Sequence, residues 1–213
     1  MSQLTSVLDS GLDSRHLLEQ LYQERSLISY EANETIPLYN DELVIVCRGV
    51  VQLLSIHPNG DEVLLGLAGP STSIGLPLTS VSPYQAITLT PANVLRLSLA
   101  EVEASPALAA GLFRHMTLRL QQAEAWLASV GRRYVADRLR CLLIWLAQEL
   151  GQPAPIGTRI TVRLTHQQLA NAIGTTRTTV TKLFNEFRLE GWLKLDKHRH
   201  IILDLPMLMK QVH

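Results

Sequence analysis

A stripe of apolar residues spaced alternately four and three positions apart runs through residues 109–134. This spacing is an unbroken heptad repeat, which is typical of a long helix whose apolar face packs on a second helix. We expect one helix over 109–134 that pairs in parallel with its copy in a homodimer. In the other reading, the stripe packs only on a barrel of its own chain. The predicted dimer seam consists of Phe113, Met116, Leu120, Ala123, Leu127 and Val130, flanked by Ala109 and Tyr134.

The charge of the chain is divided unevenly along its length. Residues 1–130 hold 6 Lys+Arg against 13 Asp+Glu, a net charge of −7, whereas residues 131–213 hold 13 against 6, a net charge of +7. The basic C-terminal part is suited to binding a polyanion such as DNA, whereas DNA would repel the acidic N-terminal part. This division indicates two modules with different functions. Two ordinary domains with uneven surface charge are the plainer interpretation.

Composition excludes several other classes. The longest uninterrupted apolar run is "CLLIWLA" at 141–147, far short of the roughly 20 residues that span a bilayer. No basic patch leads into an apolar one near residue 1, so we expect a cytoplasmic protein without a membrane partner. Cys47 and Cys141 are far apart among aliphatic residues, which predicts buried side chains and neither a disulfide framework nor a metal site.

Residues 35–98 predict a small antiparallel barrel after a helix at about 14–24. Short apolar runs are separated by turn residues, and Asn59-Gly60 favours a two-residue hairpin turn between "VVQLLSI" and "VLLGLAG". Strands at this spacing are typical of a β-roll or jelly roll. A metal-dependent barrel enzyme would need a cluster of histidines, but this region contains only His57. We therefore expect no catalytic activity.

Residues 164–187, "LTHQQLANAIGTTRTTVTKLFNEF", predict two helices around a glycine. Thr165 is a good N-cap for the first helix, Gly174 can take the left-handed conformation that ends it, and Thr175 or Thr176 would cap the second. At 100° per residue, one arc of the second helix is apolar and the opposite arc is polar. The apolar arc holds Val180, Leu183, Phe184 and Phe187, and the polar arc holds Arg177, Thr178, Thr181, Lys182 and Asn185.

The polar arc suits the major groove of DNA. Short hydroxyls let a helix approach the phosphate walls closely and donate to them. Arg177, near the start of the helix, can donate two hydrogen bonds to O6 and N7 of guanine, which lysine cannot reproduce. Downstream, "WLKLDKHRHIIL" at 192–203 predicts a hairpin with a basic tip, and "RITVRL" at 159–164 predicts a third strand. Together these elements predict a winged helix-turn-helix.

An N-terminal barrel, a long dimerising helix and a C-terminal winged helix-turn-helix in this order resemble the CRP/FNR family of bacterial transcription regulators. The resemblance covers essentially the whole chain and is strongest in "LTHQQLANAIGTTRTTVTKLFNEFRLEGWL" and "IGLPLTSVSPYQAITLT", where it is closest to the nitrogen-control regulators of cyanobacteria (NtcA-type). It implies an α+β fold with a β-roll sensor domain at 1–107, a dimerisation helix at 108–134 and a DNA-binding domain at 135–213.

The resemblance also implies a function and a set of contact residues. A homodimer would bind a two-fold symmetric promoter site. Its partners would be double-stranded DNA and RNA polymerase. Arg177, Thr178 and Lys182 would face the bases. The expected phosphate contacts are Thr165, Gln167, Thr176, Thr179, Thr181, Lys194, Lys197, Arg199 and His200. The runner-up function is a ligand-binding barrel that regulates a protein partner, with the winged helix as the protein-contact module.

The expected effector pocket departs from the family's cyclic AMP site. That site carries a glycine-glutamate and an arginine-serine pair, whereas here Leu76 follows Gly75 and "SPYQA" contains no arginine. A buried phosphate would lack its cation, at a cost of several kcal/mol, so we exclude cyclic AMP. The four cysteines of an iron-sulfur regulator are absent, and haem is not expected.

For 2-oxoglutarate, the resemblance is divided. Arg119 and Glu124 match two residues of the NtcA-type pocket on the long helix, and Gly75 matches the glycine of its barrel loop, but Ser82 or Pro83 stands where a second arginine is expected. Tyr84 lies next to that position. Binding of 2-oxoglutarate, binding of another ligand and the absence of a ligand all remain open, and Arg119 with Glu124 could equally form a surface ion pair. No cofactor is required.

Overall fold

The computed structural model describes residues 25–58, 60 and 62–211. The helix predicted for about 14–24 lies outside these residues. The described chain divides into two compact units, one built from residues 25–56 and 65–123 and the other from residues 57–64 and 124–211. The domain limits expected from the resemblance stay a prediction.

The first unit contains a β-roll of two four-stranded sheets, in the order β1-β8-β3-β6 and β2-β7-β4-β5. All pairings with a described register are antiparallel, which confirms the predicted roll. Its strands are β1 (Ile28–Tyr30), β2 (Thr35–Ile36), β3 (Glu42–Arg48), β4 (Val51–Ile56), β5 (Glu62–Ala68), β6 (Thr72–Ile74), β7 (Tyr84–Thr88) and β8 (Ala92–Ser98).

The run "LVIV" on β3 is apolar at every position because both faces of the strand are buried. Val44 and Val46 point into the roll, where they pack with residues of β4, β7 and β8. Leu43 and Ile45 point to the opposite face and pack under two helices, α1 (Leu99–Ala104) and α2 (Pro106–Val130). Alternation of side chains along a strand produces this division.

Helix α2 begins three residues and ends four residues earlier than predicted. It ends at Val130, and Tyr134 is the N-cap of α3 (Val135–Leu150), with φ −92° and ψ 133°. Gly131, a poor helix former, stands where the helix stops. The expectation of one helix to Tyr134 is therefore wrong by four residues.

The second unit holds a winged helix-turn-helix, as predicted. Its sheet has the order β11-β12-β10-β9, formed by β9 (Gly151–Ala154), β10 (Gly157–Ile160), β11 (Leu193–Leu195) and β12 (Ile201–Leu203). Three helices complete it: α4 (His166–Ile173), α5 (Arg177–Leu189) and α6 (Leu205–Met209). None of the helices in the described part of the chain is long and apolar enough to cross a membrane.

The strand predicted for 159–164 is only partly present. β10 ends at Ile160. The next residue, Thr161, donates both its backbone N–H and its hydroxyl to the carbonyl of Leu150, at 3.0 and 2.9 Å. The strand β9 was not predicted.

Candidate nucleic-acid interface

Two threonine caps and one glycine build the helix-turn-helix. The Thr165 hydroxyl accepts from the N–H of Gln168, and the Gln168 side chain accepts from the N–H of Thr165, so the two form a capping box at the start of α4. Gly174 ends α4 at φ 63° and ψ 55°, the left-handed conformation expected of it. Of the two candidates for the second cap, Thr176 is the N-cap of α5 and accepts from the N–H of Thr179 at 3.2 Å.

The two arcs of α5 are arranged as predicted. Val180, Phe184 and Phe187 are buried and Leu183 is half-buried. The side chains of the polar arc are all exposed to solvent: Arg177, Thr178, Thr181, Lys182 and Asn185. The apolar arc anchors the helix, and the polar arc is available to a ligand.

Three hydroxyls of the threonine-rich segment already have partners within the protein. The hydroxyls of Thr176 and Thr179 lie 2.9 Å apart. The Thr181 hydroxyl donates to the carbonyl of Arg177 at 2.9 Å, so it is less available to a phosphate than expected. The Thr178 hydroxyl makes no hydrogen bond with the described residues, which suits a base-facing position.

The cations of the polar arc differ in their surroundings. Arg177 forms no ion pair among the described residues. Lys182 lies 4.0 Å from the Glu186 carboxylate, with a side chain that is 78% exposed. An exposed pair of this kind contributes little free energy, so Lys182 can exchange its partner for a phosphate or a base.

The wing places most of its predicted cations in solvent. Lys194, Lys197 and Arg199 are exposed, and Arg199 adopts a positive φ of 64° at the hairpin tip. The Asp196 carboxylate organises this tip by accepting from the N–H groups of His198 and His200, both at 2.8 Å.

His200 is less available than predicted. Its Nδ1 lies 3.0 Å from the second oxygen of Asp196, and its side chain is only 20% exposed. Burial alone would raise the pKa of Asp196, but the hydrogen bonds from His200 and His198 outweigh it and hold this pKa below its ordinary value. The carboxylate therefore stays charged and keeps the ring in place, and a phosphate contact by His200 stays a prediction.

Gln167 is exposed, and its amide donates to the Asn171 side chain at 2.6 Å. His166, which the sequence analysis missed, contacts the polar arc directly: its Nδ1 lies 2.8 Å from the Thr181 hydroxyl. In the sequence, only its position directly after the N-cap Thr165 marked His166 as a residue at a helix start. Its contact with α5 forms only when the chain folds.

The residues of the expected effector pocket are only partly brought together. Burial raises the pKa of Tyr84, and the nearby positive charge of Arg119 partly offsets this. Arg119 occupies the space next to Gly66: a Cβ added at Gly66 would lie 2.5 Å from Nη1 of Arg119. The same nitrogen donates to the side chain of Gln122.

The other residues of the expected pocket have different surroundings. Gly75 packs against β3, Leu76 begins a 3-10 turn to Leu78, and Glu124 is exposed. No group of His, Cys, Asp and Glu fit for a metal ion occurs among the described residues.

The predicted seam residues of α2 are exposed. The exposed fractions are 73% for Phe113, 61% for Leu120 and 70% for Leu127. Met116 and Ala123 are exposed as well, and Val130 is half-buried. The barrel side of α2 is made by other residues, including Leu108 and Leu112, so the reading in which the stripe packs only on its own barrel is wrong.

Comparison with known proteins agrees with this architecture. The sequence profile of the Crp-like helix-turn-helix domain matches residues 137–211. The chain is 37% identical over 150 residues to the regulatory protein CysR of Synechococcus elongatus, covering 67% of each chain. It is 28% identical over 181 residues to the global nitrogen regulator of Synechocystis, covering 80% of each.

Solved structures show the same fold. A CRP-family transcriptional regulator of Thermus thermophilus superposes with a TM-score of 0.76 at 22% identity, over 87% of this chain and 96% of the other. The winged helix-turn-helix, the exposed polar arc of α5 and the similarity to CysR over two thirds of the chain together identify the protein as a DNA-binding transcription regulator of the CRP/FNR family.

Proposed function

We propose that the protein acts as a homodimer on a two-fold symmetric promoter site, with one α5 helix in the major groove of each half-site. The polar arc of α5 carries this proposal, because Arg177, Thr178 and Lys182 are exposed on one side of a helix that is anchored by its buried side. Arg177 donates two hydrogen bonds to one guanine, Thr178 and Lys182 face neighbouring bases, and the threonine caps with the wing cations contact phosphates.

The seam on α2 supports the dimer. Phe113, Leu120 and Leu127 are large apolar side chains at heptad spacing that are more than half exposed in the single chain. Burying each of them against a second copy contributes about 1.5–3 kcal/mol. Three such residues per chain, with Met116 and Ala123 between them, form a continuous strip of the kind that holds two parallel helices together.

The roll is proposed to sense an anionic metabolite, with RNA polymerase as the partner on DNA. Arg119 and Tyr84 support an anionic effector, since they bring a guanidinium and a phenol into one half-buried region. The Synechocystis relative is named a global nitrogen regulator, and the Synechococcus relative is named CysR. The candidate effector is 2-oxoglutarate, the dicarboxylate expected from the resemblance to the NtcA-type regulators. An effector would act by changing how the two α2 helices meet and hence the spacing of the two α5 helices.

The first experiment selects binding sites from a random duplex library with the wild-type chain and with Arg177→Ala. We expect the wild type to select an inverted repeat with one invariant guanine per half-site. The Ala variant should lose preference at that position, with a loss of roughly 1–3 kcal/mol in affinity for the selected site.

Two control variants separate base recognition from charge. Arg177→Lys keeps the charge but not the paired donors, so it should also lose the guanine preference while retaining more non-specific affinity. Arg188→Ala removes an exposed arginine about three turns further along the same helix, in its last turn, and should leave the preference unchanged. An unaltered selected sequence with Arg177→Ala contradicts the assignment, and absence of duplex binding at low salt favours a protein-contact role for the winged helix.

A further inference from the structure

His166 joins the two helices of the helix-turn-helix. It is the first residue of α4, its ring packs on Phe184 of α5 at 4.6 Å between ring centres, and its Nδ1 lies 2.8 Å from the Thr181 hydroxyl. The ring is half-buried and is therefore held in one place by α5.

The two ring nitrogens of His166 have different surroundings. Nδ1 lies 2.8 Å from the Thr181 hydroxyl, whose one hydrogen can point either to Nδ1 or to the carbonyl of Arg177 at 2.9 Å. Nε2 has no hydrogen-bond partner among the described residues.

Two arginines from different elements act on the same ring through their positive charge. Burial, followed by the positive charges of Arg177 on α5 and Arg199 at the wing tip, lowers the pKa of His166 below its ordinary value. α4 itself contributes only the neutral polar side chains of Gln167, Gln168 and Asn171 beside it. No carboxylate pairs with this ring in the described part of the chain. Two guanidinium groups and an imidazole without an acidic partner form a site suited to an anion.

We propose that His166 and Arg199 together bind one DNA phosphate beside the base read by Arg177, and that His166 takes up a proton from solvent as this phosphate binds. With this proton both ring nitrogens carry a hydrogen, so that Nε2 donates to a phosphate oxygen while the ring holds a positive charge, and the phosphodiester keeps its single negative charge. The inference rests on the proposed DNA-binding function and adds a proton-linked phosphate site to it.

The direction of the pH effect follows from the two states. In the free protein, the pKa of His166 is depressed, so the ring is neutral near neutral pH. The phosphate raises that pKa in the complex, because an opposite charge favours the charged ring. DNA affinity therefore increases as pH falls through the pKa of the complex, and it levels off below the pKa of the free protein.

The test measures the affinity of the dimer for its selected duplex between about pH 8 and about pH 6, the range in which histidines titrate. Each unit of difference between the two pKa values corresponds to about tenfold in affinity for each of the two His166 side chains of the dimer, and we expect a total gain of roughly three- to tenfold at the lower pH. His166→Gln should bind more weakly with no such gain. His166→Arg, which carries a fixed charge, should bind at least as tightly as the wild type at low pH and be independent of pH.

His198→Gln is the matched control, because His198 is an exposed histidine in the wing, next to Arg199 in sequence, and it should keep the wild-type pH dependence. Calorimetry of the wild type in two buffers of different ionisation enthalpy gives proton uptake directly, even if His166→Gln fails to fold. Zero uptake, or an unchanged slope in either His166 variant, overturns the inference while leaving DNA binding intact. A wild-type chain that binds no duplex at any pH overturns the proposed function itself.

Discussion

At the scale of single residues, the threonines at 175–181 serve the helix before they serve a ligand. Thr176 caps α5, Thr179 bonds to Thr176, and Thr181 donates to its own helix. Only Thr178 of the exposed arc has a hydroxyl without a partner among the described residues. The composition of this segment thus reflects capping as much as DNA recognition, because threonine side chains satisfy the free N–H groups at a helix start.

Gly174 is the residue on which the turn between α4 and α5 depends. It has φ 63°, and an added Cβ would meet nothing within 4 Å, so only its backbone conformation requires glycine. We expect Gly174→Ala to lower the free energy of unfolding by about 1–2 kcal/mol. Urea denaturation followed by tryptophan fluorescence measures this loss, since Trp126, Trp145 and Trp192 are all buried in the second unit.

Gly174→Asn provides the comparison for this measurement. Asparagine tolerates the left-handed region better than alanine, so its urea midpoint should lie between those of the wild type and the Ala variant. If the Ala and Asn variants unfold at the same urea concentration, the conformational argument is wrong.

At the scale of elements, α2 divides its surface between two tasks. Leu108 and Leu112 pack on the outer face of the roll, whereas the heptad stripe is exposed to solvent. The periodicity identified the stripe because a helix repeats about every 3.6 residues. It placed the end of the helix four residues too late, because Tyr134 keeps the heptad spacing while its backbone caps α3.

Replacing Leu120 or Leu127 by Glu should convert the dimer into monomers at micromolar concentration. Like charges would face each other across a two-fold seam, and the apolar area would be lost. Light scattering coupled to gel filtration measures the mass of the particle. Gln121→Glu adds the same charge at an exposed position outside the stripe and should leave the mass unchanged; a wild-type chain of monomer mass would disprove the seam.

At the scale of the whole molecule, the zero net charge conceals a basic DNA-binding half. The net charge of +7 over residues 131–213 includes Arg177, Lys182, Lys194, Lys197 and Arg199, which are all exposed. Because these cations displace counterions from DNA, the binding constant should fall steeply as salt concentration rises.

Lys197→Gln tests the contribution of the wing to this salt dependence. The slope of log affinity against log salt concentration should decrease in magnitude by about 0.9 for each phosphate contact removed. Lys210→Gln, which removes an exposed lysine outside the proposed interface, is the control. Equal slopes for both variants would mean that the wing tip makes no phosphate contact.

The sequence by itself determined the features that repeat or act locally. The periods of helices and strands predicted the two arcs of α5, the alternating strands of the roll and the stripe on α2. Side-chain preferences within a few residues predicted the caps at Thr165 and Gly174. They were sufficient to predict the fold class and the polar arc of the interface.

Only the tertiary structure decided which of these residues meet. The examples are three hydrogen bonds between residues 4 to 15 positions apart: His166 with Thr181, His200 with Asp196, and Thr161 with Leu150. No period records such pairs, because they arise when separate elements pack and each polar group must find a partner in the space that remains.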